Sequence, residues 1–284
     1  MNVRELREAF IKQLIPIYGI DEAQSFFYLA SEKWLKKSRV QIVIDSSEEI
    51  DLQEASLFKD ALERLKKEEP IQYILGEAFF YDTYFKVNKN VLIPRPETEE
   101  LVRWIIQDVK SIGNYKTNIL DIGTGSGCIA VTLAKKLKQA SVSAMDISKE
   151  ALHIAVKNAE AQEQRMHWIQ KNILTTDQLP DTYQVIVSNP PYVRCMEKEQ
   201  MQANVLAYEP GLALFVEDHN PLLFYQKIAE LGTKHLVKGG HLYFEINEYL
   251  GSETMRLLEK IGYQDIQLRK DMYGKHRFIR ATNK

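Results

Sequence analysis

The sequence predicts an α/β protein: a seven-stranded, doubly wound, mostly parallel sheet, preceded by a small N-terminal helical bundle and a connecting β-hairpin. Three observations support this prediction. Strand and helix patterns alternate from about residue 118 onward, as in parallel sheets with crossover helices. The first 70 residues carry apolar side chains at three- and four-residue spacing, as amphipathic helices do. Between these parts, two aromatic-rich runs flank the polar pair Asp82 and Thr83, which favours a hairpin.

The N-terminal part is predicted to form a bundle of three helices, with residues 1–70 as one domain. Gly19 and Asp21 indicate a stop and a new start after the first apolar stretch. No catalytic constellation falls in these helices, so we expect a packing or partner-docking module. The hairpin linker is expected over residues 71–96. The predicted helices cover residues 3–17, about 21–37 and 52–67.

Residues 97–284 are predicted to form the sheet domain, with helices between most of its strands. The last two strands leave no room for a helix between them and should pair as a hairpin. The predicted strands are Asn118–Ile122, Ser141–Met145, Met166–Gln170, Gln184–Ser188, His241–Ile246, Asp265–Leu268 and Arg277–Ala281. The predicted helices cover 127–138, 148–161, 219–236 and 250–261, with another that begins at Glu97 or Thr98 and runs to Val109.

Composition narrows the class of protein. The chain has 284 residues, 45% of them hydrophobic, with a net charge of −2 and a pI of about 6.3. This charge argues against a protein that grips long stretches of nucleic acid. The two cysteines imply no disulfide framework. The charged N-terminus does not resemble a signal peptide, and no apolar run approaches the roughly 18 residues that span a bilayer. We expect a soluble cytoplasmic protein that does not bind membranes.

A glycine-rich loop follows the first predicted strand of the sheet. Its glycines let the backbone turn tightly and let a ligand approach the main chain. The spacing is not G-x-G-x-x-G, which counts against a dinucleotide. The acid just before the loop would repel a diphosphate and suits a cationic or zwitterionic ligand. The residues of this candidate cofactor loop are Asp121, Gly123, Thr124, Gly125, Ser126 and Gly127.

Polar side chains also follow the second and third predicted strands. Asp146 stands where a carboxylate binds ribose hydroxyls in such sheets, and Asn172 stands where an amide can reach an adenine edge. An alternative role for Asp146 is to cap the following helix. Because the carboxyl ends of parallel strands share one edge of the sheet, we predict a single cofactor site. S-adenosylmethionine suits it, since this cofactor carries both an ammonium and a sulfonium.

The fourth strand ends in the motif Asn-Pro-Pro-Tyr, Asn189–Tyr192. Its prolines force a stiff exit and remove N–H donors, so the Pro190 carbonyl and the Asn189 side-chain oxygen stay available as acceptors. Two such acceptors can hold both N–H hydrogens of a planar amide or exocyclic amine and localise its lone pair toward a methyl donor. Tyr192 can pack on the planar substrate. We predict catalysis by Asn189, Pro190 and Tyr192, with Pro191 also contacting the substrate.

Two further charged residues are candidates. Arg95 lies between Pro94 and Pro96, whose rings restrict the backbone and so fix the direction of the arginine side chain. We predict that this side chain contacts the substrate. Glu245 is an acid on a predicted buried strand and is expected either to border the site or to form a structural pair. The histidines show no metal-ligand spacing, so no metal site is expected.

The residues themselves leave the substrate open among planar nitrogens: adenine N6, cytosine N4, guanine N2 and a glutamine side-chain amide. Nucleobase enzymes usually add a recognition domain or a basic surface, and a flipped base needs a stacking pocket. This chain instead has a near-neutral charge and a helical N-terminal module. A nucleic-acid methyltransferase acting on adenine N6 or guanine N2 remains the alternative hypothesis. A non-catalytic cofactor-binding module is the third.

The sequence resembles the HemK/PrmC family, the N5-glutamine methyltransferases of peptide chain release factors, which are class I S-adenosylmethionine-dependent enzymes. The resemblance covers nearly the whole chain and is strongest from about residue 70 to 215. The segments that carry it are Pro70–Gly76, Ile93–Glu99, Asp121–Gly127, Asn189–Tyr192, and Tyr208-Glu209-Pro210 with Ala213-Leu214.

This resemblance implies a release-factor substrate whose Gly-Gly-Gln loop presents the glutamine, with the N-terminal helices docking the factor. It implies that the glycine loop and Asp146 bind the cofactor and that Asn189 contacts both cofactor and substrate. A monomer with no direct nucleic-acid contact is expected. Family members can carry an acid and an aromatic residue after the third strand, where this chain has Asn172 and Ile173. The adenine contact is therefore expected to be weaker here, or to come from the backbone.

Overall fold

The computed structural model describes residues 1–111, 113 and 116–284 of the chain, in two compact units. The first contains Met1–Gly76 with Gln202–Tyr208, and the second contains Glu77–Met201 with Glu209–Lys284. The helices are α1 (Val3–Trp34), α2 (Arg39–Ile44), α3 (Leu52–Leu65), α4 (Ile71–Leu75), α5 (Pro96–Ser111), α6 (Cys128–Lys136), α7 (Lys149–Ala161), α8 (Ala203–Tyr208), α9 (Gly211–Leu214), α10 (Leu223–His235) and α11 (Gly251–Ile261). The strands are β1 (Glu77–Phe80), β2 (Thr83–Lys86), β3 (Asn118–Ile122), β4 (Ser141–Asp146), β5 (His167–Gln170), β6 (Tyr183–Ser188), β7 (Val193–Arg194), β8 (Phe215–Val216), β9 (Leu236–Glu245), β10 (Gln264–Lys270) and β11 (His276–Thr282).

The first unit is a helical bundle around three buried phenylalanine rings. Phe10, Phe27 and Phe58 lie with their ring centroids 5.4 to 6.0 Å apart. The predicted break is confirmed, because Gly19 inside α1 has φ 75° and ψ 173°, a conformation that glycine adopts without Cβ strain. Helix α2 is absent from the sequence prediction. Only Ile42 of its six residues is buried, so its apolar residues do not recur at the three- and four-residue spacing of an amphipathic helix.

Residues 71–75 form helix α4 of the first unit, and the hairpin begins only at Glu77. Gly76 ends α4 in the left-handed conformation, with φ 72°. The hairpin itself is confirmed, with β1 and β2 antiparallel, but its turn lies one residue earlier than predicted, because Thr83 pairs with Phe80. This register places both Phe80 and Phe85 on the buried face.

The second unit contains the predicted seven-stranded sheet, in the order β10-β11-β9-β6-β3-β4-β5. The pairs β3–β4, β4–β5, β3–β6 and β6–β9 are parallel. The final hairpin of β10 and β11 is antiparallel, as predicted, and β11 also pairs antiparallel with β9. The chain runs outward from β3 through β4 to β5 and then returns to β6 on the other side of β3. The carboxyl ends of β3 and β6 therefore meet at a switch point, where open α/β sheets bind ligands.

Successive side chains of the central strands point into two separate cores. In β3, Ile119 packs with Leu101 and Ile129 on the side of α5 and α6. Its neighbour Leu120 packs with Ile228 of α10 on the opposite side. Strands covered on both faces lose the polar alternation of an exposed sheet. The continuous apolar runs of the sequence therefore correspond to a fully covered sheet.

Several element boundaries differ from the prediction for local reasons. Helix α5 begins at Pro96, one or two residues earlier than expected, because proline is favoured in the first turn of a helix. Strand β9 begins five residues earlier than predicted, at Leu236, and passes through Gly239 in the left-handed conformation. The parallel pair of β7 and β8 was not predicted, since each strand has only two residues.

Gly127, the last glycine of the loop before α6, is predicted to be a packing residue. It has φ 81°, and an added Cβ would lie 3.0 Å from the Ala155 Cβ. Gly123 also has a positive φ, of 75°, but a Cβ there meets nothing within 4 Å. We expect Gly127→Ala to lower the free energy of unfolding by about 2–4 kcal/mol and Gly123→Ala by about 1–2 kcal/mol, measured by urea denaturation. Equal losses would contradict the proposed packing against Ala155.

Candidate active site

A cavity of about 340 Å³ lies at the carboxyl ends of β3, β4 and β6 in the second unit. Three of the segments singled out from the sequence contribute to its wall: the glycine loop, the Asn-Pro-Pro-Tyr turn and the segment before α5. The predicted site residues on the wall are Gly123, Thr124, Gly125, Ser126, Asp146, Asn172, Asn189, Pro190, Pro191 and Arg95. Three predicted site residues do not line the cavity: Asp121, Gly127 and Tyr192.

The glycine loop is held by backbone hydrogen bonds to β4. The amides of Gly123 and Thr124 both donate to the Met145 carbonyl, at 2.8 and 3.0 Å. Gly123 and Gly125 have φ 75° and 56°, with open space where a Cβ would stand. A ligand can therefore approach the main chain closely at both positions. Gly127 instead packs below the loop, and its amide donates to the Thr124 carbonyl at 2.8 Å.

Asp121 is fully buried beneath this loop and does not line the cavity. Its Oδ2 accepts a hydrogen bond of 2.6 Å from the Thr124 hydroxyl, while its Oδ1 has no hydrogen-bond partner among the described residues. Burial, reinforced by the charge of Asp146, raises the pKa of Asp121 to about 7. The carboxyl therefore positions the loop through Thr124 and does not line the cavity.

Asp146 lies on the cavity wall at the end of β4, and both of its oxygens accept backbone hydrogen bonds. Oδ2 accepts from the Gly125 amide at 2.8 Å and Oδ1 from the Ser148 amide at 2.9 Å. Burial raises its pKa. The alternative role of Asp146 as a helix cap is wrong, because the Ser148 hydroxyl caps α7 by accepting from the Ala151 amide. Asp146 joins the glycine loop to β4 and keeps further lone pairs for a ligand.

Asn172 lies at the cavity wall after β5 and caps a short 3₁₀ turn, Ile173–Thr175. Its Oδ1 accepts from the Leu174 amide at 2.9 Å. This bond directs the carbonyl half of the side chain to the backbone and leaves the amide NH₂ for another contact. Ile173 and Leu174 add apolar surface to the same wall.

The Asn-Pro-Pro-Tyr turn presents its first three residues to the cavity. The Ser188 hydroxyl just before it donates to the Ile122 carbonyl at 2.6 Å, which ties the end of β6 to that of β3. No described residue donates a backbone hydrogen bond to the Pro190 carbonyl. The Asn189 Nδ2 lies 3.5 Å from the Thr98 hydroxyl, so the Asn189 Oδ1 lies at the opposite end of the amide group. The turn therefore keeps the two acceptors that the sequence predicted.

Tyr192 is anchored away from the cavity. Its hydroxyl donates to Glu245 Oε1 at 3.1 Å, and its carbonyl accepts from the Asn247 side-chain amide at 3.0 Å. Burial raises the pKa of the Tyr192 hydroxyl, which keeps it protonated as a donor. This tyrosine holds the end of the turn in place.

Arg95 lines the cavity, but its charge is compensated. The guanidinium donates to Glu209 Oε1 at 2.5 Å, and Glu209 Oε2 accepts from the Ile93 amide at 3.2 Å. Only 6% of Glu209 is exposed. The pair joins the segment before α5 to the segment after α8, so it closes one wall of the cavity. Asp121 and Asp146 form no ion pair with any lysine or arginine that the structure describes. Asp146 is the acidic residue among the described lining residues, which also include Lys89 and Lys171.

Thr98 is a residue of the site that the sequence did not indicate, and Glu245 had two expected roles. Thr98, in the first turn of α5, lines the cavity and donates to Glu245 Oε2 at 2.6 Å. Glu245, at the end of β9, is 1% exposed and accepts hydrogen bonds from Thr98 and Tyr192 without lining the cavity. Thr98 and Glu245 are 147 positions apart, so no local sequence pattern indicates that they are in contact. The only available signal was the place of Thr98 inside the segment Ile93–Glu99.

Two negative findings apply to residues 1–111, 113 and 116–284. No cluster of histidine, cysteine, aspartate and glutamate side chains there has the arrangement that holds a metal ion. Across the same residues, no helix combines the length and apolar character needed to cross a membrane.

Comparison with known proteins points to one family. The profile of the methyltransferase small domain matches residues 102–210, and that of the PrmC N-terminal domain matches residues 5–76. A release factor glutamine methyltransferase of Flavobacterium psychrophilum is 50% identical over 99% of both chains. Another, of Bacteroides thetaiotaomicron, is 43% identical over 96% of this chain and 98% of its own. A solved methyltransferase from Pyrococcus furiosus covers 70% of this chain and 87% of its own with a TM-score of 0.50 and 19% identity, which supports the fold alone.

The buried Asp121 carboxyl is predicted to reduce stability as the pH rises. Its pKa is about 7 in the folded chain and near 3.8 when exposed. The folded state therefore binds more protons than the unfolded state between these values, and stability from this group falls as the pH rises through them. We expect Asp121→Asn to be more stable than the wild type in urea, by a margin that grows from pH 5 to pH 8. The control Asp177→Asn alters an exposed aspartate and should show no such trend. A constant margin would contradict the raised pKa.

Proposed function

The chain belongs to the release factor glutamine methyltransferases, and from this premise we propose its reaction. It transfers a methyl group from S-adenosylmethionine to the side-chain amide nitrogen of the glutamine in the Gly-Gly-Gln motif of peptide chain release factors. One observation above all supports the proposal: two acceptors of a rigid turn, the Asn189 side-chain oxygen and the Pro190 carbonyl, face a cavity that also contains the glycine loop. Identity of 50% over the full chain restricts the planar nitrogen to a glutamine amide.

The residues of the cavity fit S-adenosylmethionine. The open backbone at Gly123 and Gly125 would accommodate its amino-acid part, and the Asp121 carboxyl, when ionised, would favour its positive groups. Asp146 has lone pairs left for the ribose hydroxyls, and the free NH₂ of Asn172 suits an acceptor on the adenine edge. When bound, the cofactor supplies a methyl group on a positively charged sulfur.

The chain's own residues act by positioning the substrate amide. An amide nitrogen is a poor nucleophile because its lone pair is delocalised onto the carbonyl. The Asn189 Oδ1 and the Pro190 carbonyl accept its two N–H hydrogens, which holds the nitrogen in one orientation and favours localisation of its lone pair. The proton leaves the nitrogen after methyl transfer, so no side-chain base has to remove it beforehand. Catalysis then depends on orientation and on fixed dipoles.

Several residues support this arrangement without touching the reacting atoms. Tyr192 fixes the end of the turn through Glu245, and Arg95 with Glu209 closes the wall beside it. The ring of Pro191 fixes its φ angle and so keeps the turn stiff. We propose that the helical unit containing residues 1–76 docks the release factor. We also propose that the protein acts in the cytoplasm as a monomer without contacting nucleic acid directly.

Transfer of label from S-adenosylmethionine tests the proposed substrate. We expect methylation of an intact release factor and none of the same factor with Gly-Gly-Gln changed to Gly-Gly-Ala, because only the former presents the amide. Mass spectrometry of the peptide should place the methyl group on the glutamine side chain. Duplex DNA and structured RNA serve as competing substrates. Equal labelling of both factor forms, or comparable labelling of a nucleic acid, would overturn the proposal.

The substitution Asn189→Ala distinguishes a role of Asn189 in cofactor binding from a role in the methyl-transfer step. The substitution removes an acceptor that is engaged chiefly when the substrate nitrogen reacts, so we expect kcat to fall about 100-fold or more. Cofactor affinity, measured by calorimetry, should stay within about threefold of wild type, because the loop and Asp146 are unchanged. Loss of cofactor binding without a separate loss of kcat would show that Asn189 is only a cofactor ligand.

A further inference from the structure

The orientation of the Asn189 side chain decides whether the site has one of its two acceptors. An asparagine amide carries an oxygen on one side and an NH₂ on the other, and the two are similar in shape. If the amide rotates by half a turn, an NH₂ donor faces the substrate nitrogen and opposes its own N–H groups. Something on the far side of Asn189 must therefore distinguish the oxygen from the nitrogen.

Thr98 is the described polar group on that far side. Its Oγ1 lies 3.5 Å from the Asn189 Nδ2 and 2.6 Å from Glu245 Oε2. A hydroxyl has one proton to donate and lone pairs with which to accept. The short bond to Glu245 uses that proton, so Thr98 presents only lone pairs to Asn189. Lone pairs attract the NH₂ and repel the amide oxygen, which then faces the cavity.

Glu245 determines the direction of the Thr98 hydroxyl, because each of its two carboxylate oxygens accepts a hydrogen bond. Oε2 accepts from Thr98 at 2.6 Å, and Oε1 accepts from the Tyr192 hydroxyl at 3.1 Å. An ionised carboxylate has no proton to donate. Arg277 lies close enough for its positive charge to favour this ionised form, against the desolvation that raises the pKa of Glu245. Glu245 is 1% exposed and Thr98 is 2% exposed, so water does not compete for these bonds.

We propose that Thr98 and Glu245 are positioning residues: Glu245 orients the Thr98 hydroxyl, and Thr98 orients the Asn189 amide with its oxygen toward the substrate nitrogen. The proposal rests on the proposed function for its catalytic consequence. Its structural part, the orientation of the Asn189 amide, is a property of the chain itself. The same carboxylate anchors Tyr192, so a single buried charge positions both ends of the Asn-Pro-Pro-Tyr turn.

Three substitutions test the positioning role. Thr98→Val keeps the shape and removes the hydroxyl, Thr98→Ser restores a hydroxyl, and Glu245→Gln keeps the shape but adds a donor. Thr254→Val is the matched control, because Thr254 is also buried in a helix and its hydroxyl donates to the Leu250 carbonyl, outside this network. Thermal unfolding identifies variants that fold.

We expect Thr98→Val and Glu245→Gln to lower kcat for release-factor methylation about 10- to 100-fold, since a small misplacement of a positioning group has this effect. KM for the factor and Kd for the cofactor should change by less than about threefold. Thr98→Ser should recover most of kcat, and Thr254→Val should match the wild type. Unchanged kcat in folded Thr98→Val, or a loss shared equally by Thr254→Val, would overturn the proposal.

A second measurement does not need activity. Nitrogen-15 labelling of asparagine gives side-chain NH₂ signals in the protein without ligands, and the Asn189 pair is the one absent from Asn189→Ala. We expect Thr98→Val and Glu245→Gln to shift or broaden this pair, while Thr98→Ser and Thr254→Val leave it near its wild-type position. Unmoved signals would overturn the proposal even if the wild type methylated release factors. If the wild type labels no release factor, the proposed function fails, and these signals alone decide the orientation of Asn189.

Discussion

The buried carboxylate of Glu245 is the contact on which the geometry of the candidate site depends. It accepts hydrogen bonds from Thr98 in α5 and from Tyr192 after β6, and so joins three elements that are far apart in sequence. A buried charge is costly unless hydrogen bonds and a nearby opposite charge compensate it. Here two donors and the positive charge of Arg277 offset part of this cost, while desolvation still raises the pKa of Glu245. Because these bonds are buried, the turn between Asn189 and Tyr192 has little freedom to relax.

The charges around the cavity are arranged for a ligand more than for stability. Asp121 and Asp146 have raised pKa values because burial disfavours their charged forms, and they lack a cationic partner within the described residues. Arg95, the cation expected from sequence to face the substrate, is neutralised by Glu209. The wall therefore carries one carboxylate, Asp146, that has no ion-pair partner among the described residues, together with the side chains of Lys89 and Lys171. Sites that bind charged ligands often retain such locally unfavourable groups.

Much of the fold was predictable because it follows from short-range patterns. The alternation of strands and helices, the break at Gly19 and the final hairpin all leave local signals, and the structure confirms them. The short elements α2, α4, α8, α9, β7 and β8 were missed, since a few residues carry too little periodicity. Most candidate residues do line one cavity, because parallel strands bring their carboxyl ends to the same edge.

The sequence by itself determined the doubly wound sheet, the place of the site at its switch point, and the stiff turn with two spare acceptors. These follow from apolar periodicity and from the covalent properties of glycine and proline, which act over a few residues. Only the tertiary structure decided that Asp121 lies beneath the loop, that Arg95 is paired, and that Tyr192 and Thr98 share Glu245. The last two outcomes depend on hydrogen bonds between residues 53 to 147 positions apart, and the burial of Asp121 depends on the assembled sheet and the loop above it. Such contacts exist only after the sheet has assembled.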